Sequence, residues 1–147
     1  MKALFQRVSD ARVTINDETV GKINKGLLVF LCAVKGDVDK DLDYIVRKVA
    51  QLRIFGDEHG KMNLSVMDIK GEVLVISQFT LAAANRKGNR PSFDAAEDPE
   101  RARAMYDRFV TKLRETGLSV QTGVFAESMS VSLTNDGPVT MLIDSRE

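Results

Sequence analysis

The pattern of apolar and polar positions divides the first part of the chain into strands. A strand is predicted at 4–8, followed by one at 11–15, in which apolar and polar residues alternate with the period of a half-buried strand. The residues Asn16-Asp17-Glu18 are typical of a turn and precede a predicted strand at 19–23. The strands at 11–15 and 19–23 are therefore predicted to form a hairpin. Residues 26–34 are apolar on both faces, as expected of a strand inside a sandwich or barrel.

Two segments have the three- and four-residue spacing of an amphipathic helix. Asp37 or Asp39 can cap the first helix, whose apolar stripe consists of Leu42, Ile45, Val46, Val49 and Leu52. The second begins at Asp98, has Pro99 in its first position and stops at Gly117. Its stripe consists of Ala102, Met105, Tyr106, Phe109, Val110 and Leu113.

The strongest strand signal lies at 73–81. Its first half is apolar and its second half polar, which indicates a strand leaving the core toward a site. Residues 82–98 have no periodicity. Three more strands are predicted at 118–124, 129–133 and 139–143, with a turn at 135–138.

This order of elements predicts an α+β fold over a single domain, residues 1–147. A largely antiparallel sheet curls toward a barrel, and two helices pack outside it. A doubly wound parallel fold would need regular alternation of strands and helices, which the pattern lacks.

Composition and charge narrow the classes of protein and the cellular compartments that fit this chain. One cysteine, Cys32, excludes a disulfide framework and a multi-cysteine zinc site. The apolar stretch 26–34 is about half as long as a membrane-spanning helix requires and lies too far from Met1 to be a secretory signal, so we expect a cytoplasmic protein with no membrane partner. The 21 Lys+Arg balance 21 Asp+Glu, which argues against a general nucleic-acid coat but allows a local basic patch.

Conventional catalytic groups are scarce. His59, the one histidine, lies in a turn, so no Ser-His-Asp or Cys-His triad is expected. Cys32 lies in the most apolar run, where burial raises a thiol pKa. The acidic pairs resemble caps and surface charge, and no metal-ligand spacing or phosphate-binding glycine loop occurs. No metal or other cofactor is predicted.

Two segments favour a ligand site. Ser77, Gln78 and Thr80 follow a buried strand, where polar groups must be paired or face a ligand, although ordinary strand residues bonded to backbone remain an alternative. Soon after them, Arg86, Lys87 and Arg90 form a basic loop that can contact a phosphate-bearing substrate or simply be solvated.

Several motifs together resemble the D-aminoacyl-tRNA deacylases. The residues that carry the resemblance are Gln6-Arg7-Val8, Leu52-Arg53-Ile54-Phe55, Gly60-Lys61-Met62-Asn63-Leu64-Ser65, Ser77-Gln78-Phe79-Thr80-Leu81, Lys87-Gly88-Asn89-Arg90-Pro91-Ser92-Phe93 and Asn135-Asp136-Gly137-Pro138-Val139-Thr140. They occur in order along essentially the whole chain, so the signal is specific.

The resemblance implies a homodimer that hydrolyses the ester between a D-amino acid, or glycine, and the terminal adenosine at the acceptor end of tRNA. This activity is chiral proofreading in translation quality control. It implies catalytic roles in the segment Ser77, Gln78, Phe79 and Thr80, with weight on backbone N–H groups and the substrate's 2′-hydroxyl.

The resemblance also implies binding residues. Gly137-Pro138 corresponds to a Gly-cis-Pro element that reaches into the partner subunit's site and excludes L side chains. Implied contacts with adenosine or tRNA come from Phe125, Met129, Arg7, Lys87 and Arg90. Two residues depart from the family pattern: Glu127 stands where a small residue is usual, and Cys32 where glycine is usual.

Two other functions remain open. A non-catalytic RNA-binding barrel would bind D-aminoacyl-tRNA through the basic loop without cleaving it. A small hydrolase of free D-amino-acid esters or amides would need no RNA.

Overall fold

A computed structural model describes residues 1–147. The strands are β1 (Lys2–Ile15), β2 (Glu18–Ile23), β3 (Gly26–Cys32), β4 (Phe55–Gly56), β5 (Met62–Leu64), β6 (Glu72–Ser77), β7 (Ser119–Thr122) and β8 (Ser130–Asp144). The helices are α1 (Asp39–Gln51) and α2 (Pro99–Glu115). A single 3-10 turn spans Phe79–Ala82.

Among the first three strands, β1 lies in the middle, between β2 and β3. β1 is continuous, so the division into strands at 4–8 and 11–15 was wrong. One half of β1 pairs antiparallel with β3 and the other with β2. Ser9 and Asp10 are both exposed where the pairing with β8 is irregular, which interrupts the alternation without ending the strand.

One strand, β8, also replaces the two predicted at 129–133 and 139–143. It pairs antiparallel with both halves of β1, but the pairing skips residues 136–139, which bulge out opposite Arg7. The turn-forming residues at 135–138 therefore form a bulge within one strand and do not separate two strands. The Gly137–Pro138 peptide bond within it is cis.

The sheet is mixed, with the order β2-β1-β3-β6-β7 and β8 on β1. β3, β6 and β7 are parallel and are joined through α1 and α2, while β1 is antiparallel to its three neighbours. The α+β, barrel-like fold class is confirmed, with two β-α-β crossovers that the pattern did not reveal. β2 approaches β7 so closely that a Cβ on Gly21 would lie 2.6 Å from the Thr122 carbonyl oxygen, which makes the barrel nearly closed.

Two apolar clusters hold the layers together. The larger lies between the sheet and the helices and includes Ile45 and Val49 of α1 and Phe109 and Leu113 of α2, as the stripes predicted. The smaller lies inside the curled sheet and includes Val13, Ile23, Leu28, Leu74 and Ile76. No helix is both long and apolar enough to cross a membrane.

The start of α1 differs from expectation. Neither Asp37 nor Asp39 caps it; Val38 precedes the helix, and its N–H donates to the Asp41 carboxylate at 2.9 Å. Asp37 is instead fully buried and accepts from the Met1 ammonium at 2.6 Å and from the Val34 N–H at 2.7 Å. The carboxylate therefore anchors the loop after β3 to the chain's first residue.

Candidate active site

The polar end of β6 opens into a pocket of about 760 Å³. β6 ends at Ser77 rather than at Leu81 as predicted, because the Gln78 N–H makes a last bond to the Leu31 carbonyl at 2.8 Å and the chain then turns. Ser77, Gln78 and Phe79 line the pocket together with Phe125 and Met129. Five of the residues predicted to form the site therefore meet in one cavity.

Thr80 lies just outside this lining and is exposed. Its hydroxyl oxygen accepts from the Gln78 side-chain amide at 2.5 Å. An amide donor cannot take a proton from a hydroxyl, so this contact does not activate Thr80 as a nucleophile. The histidine that could do so, His59, lies on the β4–β5 hairpin, with its side chain 75% exposed and facing Glu58.

Backbone N–H groups are the other donors near the pocket. In the 3-10 turn, Leu81 donates to the Gln78 carbonyl and Ala83 to the Thr80 carbonyl. The N–H groups of Phe79 and Thr80 come first in the turn, where no carbonyl of the same turn can accept from them. They donate in none of the turn and loop bonds, so both are open to a ligand.

Aromatic side chains form the pocket walls. Phe79, which is 56% exposed, packs edge-on against Phe93 with ring centroids 5.2 Å apart. The ring centroids of Phe125 and Tyr106 lie 6.0 Å apart. The Tyr106 hydroxyl donates to the Val75 carbonyl at 2.8 Å. Burial raises the pKa of Tyr106, so its hydroxyl keeps its proton and is unsuited to act as a base.

Cys32 lies beneath the 3-10 turn, with its sulfur 3.5 Å from the Phe79 carbonyl oxygen. It is 1% exposed, and burial raises the pKa of its thiol to about 11. A thiol that is neutral and covered is a poor nucleophile, as its apolar surroundings in the sequence indicated.

The Gly137–Pro138 bulge does not reach this pocket within the same chain. The Arg7 guanidinium holds it by donating to the carbonyls of Asp136 at 3.1 Å and Gly137 at 3.2 Å, and also to that of Ile54 at 2.7 Å. The tRNA contact expected of Arg7 stays a prediction. Within the chain, Arg7 fixes the bulge.

The basic loop of Arg86, Lys87 and Arg90 is exposed, and none of the three side chains forms an ion pair. Paired backbone bonds between Ala84 and Ser92, both 2.8 Å, close its base. The loop therefore presents three free cations on a fixed stem.

Sequence reasoning missed the acidity of the pocket's other wall. Asp94, Glu97, Asp98 and Glu127 line it, whereas Lys35 and Met1, whose ammonium is paired with Asp37, are its cationic residues. Glu97 and Asp98 were interpreted as caps and surface charge, which holds for Asp98, exposed at the N-cap of α2. It is wrong for Glu97, whose side chain is only 6% exposed and pairs with Arg101. Nothing in the residue spacing brings Glu127 near Asp98, because the two lie on either side of α2.

Comparison with known proteins gives a consistent match. The model of the family described as D-Tyr-tRNA(Tyr) deacylase matches residues 4–144. A protein of Persephonella marina named D-aminoacyl-tRNA deacylase is 57% identical over 146 residues, covering 99% of each chain. One of Aquifex aeolicus with the same name is 53% identical over 147 residues, which is 100% of this chain and 99% of that one.

Two solved structures share the fold. The structure titled "c-Myc DNA Unwinding Element Binding Protein" superposes with a TM-score of 0.92 at 42% identity and covers 98% of both chains. One described as a probable eukaryotic D-amino acid tRNA deacylase has a TM-score of 0.86 at 17% identity, covering 97% of this chain and 98% of that one. The second likeness concerns the fold alone.

Proposed function

Because this chain belongs to the D-Tyr-tRNA(Tyr) deacylase family, we propose that it hydrolyses the ester between a D-amino acid, or glycine, and the 3′-terminal adenosine of tRNA. The products are free amino acid and tRNA, and the setting is translation quality control in the cytoplasm. The observation that carries the proposal is the pocket at the end of β6. There the polar segment 77–79 meets Phe125 and Met129.

The pocket suits a nucleoside. Its volume of about 760 Å³ lies within the range of small-molecule sites, and its walls are largely apolar. Phe125 and Met129 offer surfaces for an adenine ring, and stacking on an aromatic side chain contributes about 1–3 kcal/mol per base. The ester then lies toward Gln78 and Phe79.

Hydrolysis at this site relies on backbone hydrogen-bond donors and not on a side-chain base. Water adds to the ester carbonyl carbon, and the N–H groups of Phe79 and Thr80 stabilise the oxyanion that forms. The carbon–oxygen bond to the ribose then breaks, and the ribose oxygen takes the proton that the water loses, with the neighbouring 2′-hydroxyl as relay. A good oxyanion donor contributes roughly 3–4 kcal/mol, or about 10²–10³-fold in rate.

Selection against L-amino acids comes from a second copy of the chain. The Gly137–Pro138 bulge stands away from its own pocket, so in a homodimer it can enter the partner's pocket and occupy the space of an L side chain. Glycine has no side chain to exclude and is therefore also a substrate. β8 pairs only with β1, and its free edge is a surface that a second copy can cover.

Matched D- and L-tyrosyl-tRNA test the function. Loss of the D-ester with retention of the L-ester is the expected result, and equal cleavage of both would contradict the chirality filter. Binding of D-tyrosyl-tRNA without cleavage would favour an RNA-binding barrel. A D-tyrosine methyl ester cleaved as well as the tRNA ester would favour a hydrolase that needs no RNA.

A further inference from the structure

A second pocket, of about 370 Å³, lies beside the Gly137–Pro138 bulge. β1, the β2–β3 turn, the β4–β5 hairpin and the bulge supply its walls. The lining residues are Arg7, Lys25, Phe55, Gly56, Gly60, Met62, Asp136 and Pro138.

Lys25 is the unpaired charge of this pocket. Arg7 is matched by Asp136, with Nε 3.1 Å from Oδ2, and its side chain is only 12% exposed. Lys25 is exposed and has no carboxylate within ion-pair distance. Its carbonyl accepts from the Glu72 N–H at 3.1 Å, so the backbone is held while the ammonium stays free.

The first pocket is unsuited to an RNA phosphate. Besides Lys35, its lining includes Met1, whose ammonium is paired with Asp37, and Glu97, which is paired with Arg101. The carboxylates of Asp94, Asp98 and Glu127 remain without an ion-pair partner, and a phosphodiester near them would be repelled. A terminal adenosine bound there must therefore direct its 5′-phosphate toward a surface of the opposite charge.

We propose that Lys25 binds the phosphodiester on the 5′ side of the terminal adenosine whose ester lies in the partner protomer's pocket. This subsite rests on the proposed function, in which Pro138 enters that pocket. Lys25 and Pro138 line the same pocket, so in that dimer Lys25 accompanies Pro138 to the partner's site. A lysine ammonium binds phosphate as a point charge, and Met62, 53% exposed, adds an apolar wall for the neighbouring sugar and base.

A truncation series tests the subsite. The substrates are the D-tyrosyl ester of adenosine, which has no phosphate, and the D-tyrosyl ester of the dinucleotide CpA, which has one phosphodiester. Lys25→Gln should lower kcat/KM for the CpA ester by about 3–10-fold at low salt and leave the adenosine ester unchanged. The slope of log kcat/KM against log salt for the CpA ester should become shallower by about 0.7–1.

Lys40→Gln is the matched control, because Lys40 is exposed on α1 and lines neither pocket. It should leave both substrates and the salt slope unchanged. An equal effect of Lys25→Gln on the two esters, no effect on either, or a shift of the protein from dimer to monomer would each overturn the proposal. The last outcome would place Lys25 in the interface between copies.

A binding readout separates this proposal from the proposed function. The unacylated trinucleotide CCA, which carries two phosphodiesters, should bind more tightly to the wild-type protein than to Lys25→Gln, with a difference that shrinks as salt rises. Salt-sensitive binding without deacylation by the wild type would overturn the proposed function but leave a phosphate contact at Lys25. Deacylation with identical CCA binding by the two proteins would overturn the subsite alone.

Discussion

Single residues around the 3-10 turn decide which chemistry is available. Thr80 carries the one side-chain hydroxyl of the turn, but its partner is the Gln78 amide group, which donates and cannot act as a base. Cys32 is buried and neutral, and Tyr106 is buried with a raised pKa. The remaining donors are the backbone N–H groups of Phe79 and Thr80, which every substitution except proline leaves in place.

We expect Thr80→Ala to retain most of the activity. Its kcat on D-tyrosyl-tRNA should fall by less than about tenfold, well short of the roughly 10²–10⁴-fold that general acid or base catalysis contributes. Single-turnover deacylation measures the chemical step, with Thr80→Ser as the control that keeps the hydroxyl. Loss of turnover in the alanine variant while tRNA still binds would instead assign Thr80 as nucleophile or base.

The pH dependence of stability should report the burial of Cys32. Its pKa rises from 9.0 to about 11 in the folded state, so between these pH values the folded chain binds more protons than the unfolded chain. The free energy of unfolding therefore falls as pH rises from 9 to 11. Urea unfolding across this range should show a smaller fall for Cys32→Ala. Tyr106 titrates in both proteins and cancels in the comparison, so equal pH dependences would contradict the assignment.

At the level of elements, the approach of β2 to β7 closes the curled sheet without a hydrogen-bonded ladder between the two strands. Gly21 allows that approach, since a Cβ there would also lie 3.2 Å from side-chain carbons of Leu74 and Val13. The smaller apolar cluster, which includes both of these residues, depends on the closure.

We therefore expect Gly21→Ala to destabilise the fold by about 1–3 kcal/mol, the usual range for forcing an extra carbon into a packed core. The Thr122 carbonyl, 2.6 Å from the new Cβ, is backbone and cannot rotate aside. Gly56→Ala is the matched control, because its Cβ would meet nothing closer than 3.9 Å. Urea denaturation compares the stability of the two variants. Equal midpoints would show that β2 moves to accommodate the added carbon with little loss of stability.

At the level of the whole molecule, one chain holds the two halves of the proposed site apart. Gln78, Phe79 and Phe125 line the first pocket, whereas Gly137 and Pro138 lie beyond it, fastened by Arg7. In the proposed homodimer, each copy supplies one half of the site to the other.

Mixing two damaged proteins tests that arrangement. Phe125→Asp puts a charge in the apolar wall, and Gly137→Val disrupts the bulge, so each homodimer should lose activity. Heterodimers formed by refolding an equal mixture should contain one intact site each, and about a quarter of the wild-type sites should return. No recovery, with heterodimers detected by mass, would place both halves of the site in the same subunit.

The sequence by itself determined the helices, the strand at 73–77 and the family. Apolar spacing along α1 and α2 reflects burial on one face. Motifs such as Ser77-Gln78-Phe79-Thr80 and Gly137-Pro138 are contiguous in the chain, so they can be recognised in the sequence. These features are local, so they can be read without knowing what packs against them.

Only the tertiary structure decided how distant segments meet. Ser9-Asp10 resembles a break between strands, and pairing with β8 on both sides of it keeps β1 continuous. The parallel order of β3, β6 and β7, the acidic wall and the burial of Asp37 against Met1 likewise depend on contacts between residues far apart in the chain. Periodicity records which face of an element is buried but not which other element covers it, and for that physical reason these features stay hidden until the chain is folded.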